Sequence, residues 1–230
     1  ATTKKVCKEG FFPNDGFFCQ MGCGAHCGRN LPRGVRVTEN YKQAEEIDGE
    51  KIYDTIVIGQ GWSGLMALKY QLQEGLSAVG VEREAGIGGV WQFDEKKPYG
   101  VARSTQMSSS LTMTECSDFA FDHVKTNFPV WKQVLEYLNQ YVEFFGLAPH
   151  QKFNFGVEDV SKEGDLWVVK SSNEVVKGKH LIVSTGANEI PRTKEDFGEF
   201  FNEFEGKVMH SGEYKQPAND FDGKRVLIMG

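Results

Sequence analysis

Gly59-Gln60-Gly61-Trp62-Ser63-Gly64 reads G-x-G-x-x-G, and its surroundings decide the fold. The hexapeptide follows a short apolar strand, Lys51 to Ile58. It opens a stretch, Ser63 to Glu74, in which Leu65, Met66, Leu68 and Leu72 fall near helical spacing. A second apolar strand, Ala78 to Glu82, completes a β-α-β unit. Alone, the glycine pattern is a weak signal, because any glycine-rich turn satisfies it. Between a strand and a helix it has a mechanism. Gly59 permits the tight turn, Gly61 lets backbone approach a pyrophosphate, and Gly64 lets helix and strand pack closely. The helix N-terminus offers unpaired N–H groups and a partial positive charge to phosphates. The Glu82 carboxylate, at the end of the second strand, is suited to ribose hydroxyls and repels a 2′-phosphate. The unit therefore suits FAD or NAD rather than NADP.

Outward from this unit, Arg83 to Asn127 is a long irregular stretch rich in Gly, Ser and Thr, and loops of that length inside a domain are usually functional. Val130 to Gly146 predicts an amphipathic helix with Val134, Leu138, Tyr141, Val142 and Phe145 on one side. Lys152 to Val160, Leu166 to Ser171 and Val175 to Lys177 predict an antiparallel meander. His180 to Ser184 predicts a buried strand running into Thr185-Gly186, and Lys224 to Met229 a last strand before Gly230. Residues 191–222 are polar and turn-rich, and no solenoid-type repeat is present. The expected organisation is an extension over 1–48, a dinucleotide-binding domain over 49–190, and, over 191–230, a linker with the first strand of a second nucleotide-binding domain.

The chain has 230 residues, 40% hydrophobic and 25% charged, with 26 glycines, the composition of an ordinary globular protein. A formal net charge of −6 argues against nucleic acid or an anionic membrane surface as main partner. Apolar runs such as Thr55 to Ile58 and Val226 to Met229 are too short to cross a bilayer. Ala1 opens the chain without a methionine or a basic-then-apolar leader, as in a processed or trimmed chain. Cys7, Cys19, Cys23 and Cys27 crowd its first residues, while Cys116 stands apart. Four cysteines in a loop-rich segment read as two disulfides of undetermined connectivity, which implies passage through an oxidising, secretory or lumenal compartment. Cys19-x3-Cys23-x3-Cys27 with His26 also nears metal or cluster spacing, and reduced thiols in a cytoplasmic protein are the third reading. The expectation carried forward is disulfides and no metal.

Gly88-Gly89-Val90-Trp91, just after Glu82, is where the chain begins to resemble the flavin-containing monooxygenases, which carry a Gly-Gly-x-Trp turn beside the flavin. The resemblance continues through Cys116-Ser117-Asp118, Asn127-Phe128-Pro129, the helix at Val134 to Tyr141, and Ser184-Thr185-Gly186. Its most specific element is a fingerprint, F-x-G-x-x-x-H-x-x-x-Y-K, met at every fixed position by Phe204, Gly206, His210, Tyr214 and Lys215. A Baeyer–Villiger monooxygenase would more typically show Trp-Pro where Tyr214-Lys215 stand. The similarity runs from about Lys51 to Gly230. Singly these residues have bland readings: Trp91 as a core or surface aromatic, His210 as a structural histidine, Cys116 as an inert thiol.

The resemblance implies an α/β protein with a doubly wound, Rossmann-like FAD domain and the start of a second nucleotide-binding domain. It implies FAD held by Gly59, Gln60, Gly61, Trp62, Ser63, Gly64, Glu82, Arg83, Gly89, Val90, Trp91, Ser108, Ser109, Val157, Thr185 and Gly186. NADPH is implied too, its site largely outside this chain. The implied activity is an NADPH- and oxygen-using transfer of one oxygen atom to a soft amine nitrogen or sulfide sulfur, with the cofactor carrying the hard chemistry. One family side chain matters to that chemistry, an asparagine ten residues before the aspartate that matches Asp118. Ser108 occupies its place, with one hydroxyl donor where an amide has two. That departure, with the cysteine-rich leader, motivates an alternative: a secreted flavoprotein serving as pigment, carrier or interaction protein without oxygenation. Because Lys224 to Gly230 resembles the opening of the nicotinamide domain, a C-terminal fragment of the same precursor or a continuation is the expected partner. A homo-oligomer is possible on such a scaffold.

Overall fold

A computed structural model describes residues 41–229 apart from 123, 188, 193, 202 and 217–220. Its centre is β2 (Glu50–Ile58), whose last residues are all buried. Parallel to it on one side lies β3 (Ala78–Val81), paired Thr55 to Ala78 through Ile58 to Val81. On the other lies β7 (Val175–Val183), paired Ile52 to Lys177 through Ile58 to Val183. β4 (Gln151–Lys152) adds to β3 in parallel, and β6 (Leu166–Lys170) and β5 (Asp159–Glu163) add antiparallel beyond β7. The order is therefore β4-β3-β2-β7-β6-β5. A short β1 (Glu45–Ile47) folds back on the start of β2 through Asp48 and Gly49, both at positive φ, so this hairpin joins residue 45 to residue 52. The fold is α/β with a mixed sheet whose parallel centre is Rossmann-like.

Residues alternate across the sheet, and each face has its own core. Val57 and Ala78 face α1 (Trp62–Gln73) and α3 (Trp131–Phe144), packing with Leu65, Leu68 and Leu72 of the first helix and Val134, Leu138 and Tyr141 of the second. Ile56, Ile58, Val79 and Val81 face the other way, onto Phe155, Val169 and Val176. α3 starts where Val130 N–H donates to Gln133 Oε1 at 3.0 Å, and its apolar face is wider than the sequence reading, since Tyr137 is fully buried as well.

Four expected strands differ. Lys152 to Val160 is two elements, β4 and β5, because Asn154 and Phe155 bond back to the carbonyls of Glu84 and Glu82 and turn the chain away. Val175 to Lys177 and His180 to Ser184 are one strand, and its second half is not buried: Val183 is exposed, since no described helix covers it. Lys224 to Met229 is not a strand among the described residues. It pairs with no described strand, and Leu227 and Ile228 are 85% and 84% exposed. Among the described residues the long stretch after β3 is irregular as expected, interrupted by a 3-10 turn at Gly89–Trp91, the short α2 (Leu111–Thr114) and isolated bridges at Gln106 and Cys116.

Candidate functional site at the glycine turn

The three glycines of the first motif have different structural reasons. Gly59 lies at φ +91°, and a Cβ there would fall 2.5 Å from the Ser184 carbonyl oxygen, where β2 and β7 leave the sheet side by side. At Gly64 a Cβ would fall 1.8 Å from the Gly59 carbonyl oxygen, so the helix could not seat on the turn. Both are demanded by packing within the chain. Gly61 is not. Its φ of −74° suits any residue, and a Cβ would meet nothing nearer than the Gly89 Cα at 3.6 Å, an ordinary contact.

Gly61 is the N-cap of α1, and no side chain caps that helix or places an acid in its first turn. The first-turn N–H groups are therefore open to an anion. Gly89, at φ +55°, abuts Gly61 from the opposite side, and its own Cβ would sit 3.1 Å from the Gly61 Cα. The Gly88 N–H donates to the Gln60 carbonyl at 3.0 Å, which ties the two glycine turns together. The result is a patch of bare backbone at a helix N-terminus, the cradle that a dinucleotide pyrophosphate requires.

Glu82 stands at the tip of β3, buried, with one carboxylate oxygen accepting from Gln60 N–H at 2.7 Å and the other from Glu84 N–H at 3.0 Å. Each oxygen retains a lone pair for a ribose hydroxyl. Next to it the Arg83 guanidinium pairs with Glu189 at 2.9 Å and with Glu84 at 3.4 Å, and bonds the Tyr99 hydroxyl. Lys97 and the Tyr99 hydroxyl also reach Glu84, at 2.7 and 3.3 Å, and Lys97 holds that carboxyl below the usual carboxylate range. Trp62 packs against Tyr137 at 5.6 Å between ring centroids, and Trp62 and Trp91 line the same apolar cluster as Met107. Val90 is exposed, and Val157 is half-buried against the second core. Ser63, Thr185 and Gly186 are exposed beside the turn.

Ser108 follows the buried Met107 and is exposed, and among the described residues its hydroxyl has no hydrogen-bond partner. Ser109 shares a bond with Thr114 at 2.7 Å. The segment is fastened to Asn127-Phe128-Pro129, since Met107 N–H donates to the Pro129 carbonyl and Leu111 N–H to the Asn127 carbonyl, both at 2.9 Å. Asp118 forms a buried ion pair with Lys69 of α1. Burial pushes the Lys69 ammonium down, opposed by Asp118, and raises the Cys116 thiol to about 11, which leaves it a protonated packing group. In the fingerprint, Phe204 and Tyr214 are exposed, and a Cβ on Gly206 would strike the Phe204 ring at 2.4 Å. His210 Nδ1 accepts from Gly212 N–H at 3.0 Å, and Lys215 is buried. Cys7, Cys19, Cys23 and Cys27, with the expected disulfides, lie outside the described residues.

Two features escaped the sequence reading. The Gln60 side chain is fully buried across Gly80, where a Cβ would fall 2.3 Å from its amide nitrogen, and its carbonyl accepts from Gln151 at 2.9 Å. A glycine inside an apolar strand is the signal for such an approach. Lys69 sits between Leu65 and Leu72 on the apolar face of α1, a placement that itself calls for a buried partner.

Residues 53–230 match the family model described as flavin-binding monooxygenase-like. Flavin-containing monooxygenase 5 of Rattus norvegicus is 36% identical over 189 residues, 76% of this chain and 35% of its own length. The N-oxide-forming dimethylaniline monooxygenase 4 of the same organism is 32% identical over 189 residues, 76% of this chain and 33% of its own. Among solved structures, a flavin-containing monooxygenase from Stenotrophomonas maltophilia superposes with a TM-score of 0.54 at 27% identity, over 61% of this chain and 40% of that one. The chain thus spans about a third of the length of the curated relatives it matches.

Proposed function

This chain belongs to the flavin-binding monooxygenase-like family, and from that premise we propose that it holds FAD at the Gly59 to Gly64 turn and serves an NADPH- and oxygen-dependent monooxygenase. The observation that carries the cofactor assignment is Gly61: unlike Gly59 and Gly64, no close contact among the described residues requires it to be glycine. A pyrophosphate lying on the Gly61 and Gly89 backbone supplies that reason.

FAD, when bound, supplies the redox and oxygen chemistry. The chain's part is to hold it. The first-turn amides of α1 would receive the pyrophosphate, and Glu82 would receive the ribose hydroxyls and disfavour a 2′-phosphate. Trp62 and Trp91, packed into the core cluster, exclude water from the glycine side of the site. Arg83 and Tyr99 wall the outer side of Glu82 through their shared network with Glu84. Ser108, exposed and without a hydrogen-bond partner among the described residues, could donate its hydroxyl to whatever lies against the 107–111 segment.

The substrate class, a soft nitrogen or sulfur nucleophile, is proposed from the kinship with N-oxide-forming relatives. The test is NADPH-dependent oxygen consumption with a tertiary amine or a thioether present. Uptake matched by N-oxide or sulfoxide supports the reading. A flavin-bearing protein that consumes neither NADPH nor oxygen would instead be a carrier or pigment on this scaffold.

A further inference from the structure

The loop from Pro98 to Arg103 is gripped from two sides. On one, Gly100 lies at φ +80° with room for a hydrogen only, since a Cβ would fall 2.9 Å from the Val90 carbonyl oxygen; the Val101 N–H donates to that carbonyl at 3.0 Å. This side is the glycine turn that abuts Gly61. On the other side is the end of the fingerprint. A Cβ on Gly212 would fall 2.0 Å from the Pro98 carbonyl oxygen, and His210 Nδ1 fixes the turn that presents Gly212. Arg103 N–H donates to the Lys215 carbonyl at 2.7 Å, and the Lys215 ammonium donates to the Tyr99 carbonyl.

Lys215 is 6% exposed. An ammonium is rarely buried, because losing its hydration is costly, and here burial pushes its pKa down. A lysine that served only the surface would snorkel outward. This one points inward at a backbone carbonyl in the middle of the gripped loop.

We propose that Lys215 is a positioning residue: acting through the Pro98–Arg103 loop, it holds the Gly89–Trp91 turn against Gly61 and so sets the backbone surface of the dinucleotide site. The inference about the loop stands on contacts within the chain; its consequence for cofactor affinity rests on the FAD reading above.

The experiment is residue-resolved amide exchange on the 230-residue chain, without and with added FAD, comparing the parent with Lys215→Met, Lys215→Gln and Lys215→Arg. In the Met and Gln forms without FAD, the amides of Arg103 and Val101 are expected to exchange on the order of ten- to a hundredfold faster, the loss of a charge-assisted bond to a carbonyl. The Val57 amide in the central strand stays unchanged, FAD binds more weakly, and Arg restores protection. Unchanged exchange at Val101 overturns the proposal, because the loop then does not pass the contact on. Equal acceleration at Val57 overturns it too, because Lys215 would be a general stabiliser. If the exchange pattern holds while the parent takes up no FAD, the positioning role stands and the cofactor assignment falls.

Discussion

Replacing Gly61 and Gly64 separately by alanine distinguishes a glycine kept for a ligand from one kept for packing. At Gly64 the added Cβ falls 1.8 Å from the Gly59 carbonyl oxygen, so helix and turn must part. Overpacking of that kind costs about 1–3 kcal/mol, of order a tenth or more of the stability of a domain this size. At Gly61 the backbone is already in an extended conformation open to alanine, and the nearest atom lies at 3.6 Å. Alanine is a poorer N-cap than glycine by about half a kcal/mol, which the lower entropy of the unfolded alanine chain largely offsets. Folding stability should therefore change by less than about 0.5 kcal/mol. FAD affinity should not survive as well. A methyl group on the patch displaces the pyrophosphate from one or two amides, each charge-assisted bond contributing about 1.5–3 kcal/mol, so Kd rises about tenfold to more than a hundredfold. Gly61→Val, with two branches over Gly89, should abolish binding. The assay pairs a flavin-fluorescence titration with thermal unfolding of the cofactor-free chain. Normal FAD affinity in Gly61→Ala, or a loss of stability matching that of Gly64→Ala, would refute the reasoning.

Asp118→Asn strands the Lys69 ammonium in the core and should destabilise the chain by about 3–5 kcal/mol in urea unfolding, whereas Lys69→Met combined with Asp118→Leu should recover most of the loss; equal losses in both forms would contradict the pairing argument. The Lys42 ammonium, at 2.7 Å from Asp54, with the Ser77 amide and hydroxyl and Lys179, holds the Asp54 carboxyl well below the usual carboxylate range. Its folded pKa lies below its unfolded one, so the stabilisation is complete above about pH 5 and drains as pH falls through and below about 4; Asp54→Asn should flatten that acid limb of the stability curve. Given the proposed monooxygenase activity, Ser108→Asn should raise the product formed per NADPH consumed, because an amide offers a second donor; lower coupling would detach Ser108 from the family asparagine.

What the sequence made legible was whatever depends on local pattern. The strand–glycine turn–helix unit around Gly59 and the apolar face of α3 are written as short-range periodicity, and the structure has them within a residue or two. Pairing is not local. The split of Lys152 to Val160 depends on Asn154 and Phe155 finding carbonyls across the sheet, and the fusion of the segment before Gly178 with the one after it depends on β2 lying alongside. Lys224 to Met229 has the composition of a strand but no described partner, and composition alone cannot supply one. At the candidate site the motif residues were visible because G-x-G-x-x-G carries its own geometry. The contacts that support them were not. Gln60 over Gly80, Lys69 with Asp118, and Lys215 on the Tyr99 carbonyl join positions far apart in the chain, two of them through a lysine that composition reads as solvated.

Calorimetric titration of FAD into the purified 230-residue chain decides whether the Gly61 and Gly89 backbone receives FAD. Saturable binding of one FAD per chain is expected, with competition by ADP-ribose, which carries the same pyrophosphate and ribose, and no binding of FAD to Gly61→Val. A chain that unfolds cooperatively, and is therefore folded, yet gives no heat and no spectral shift with excess FAD would contradict it.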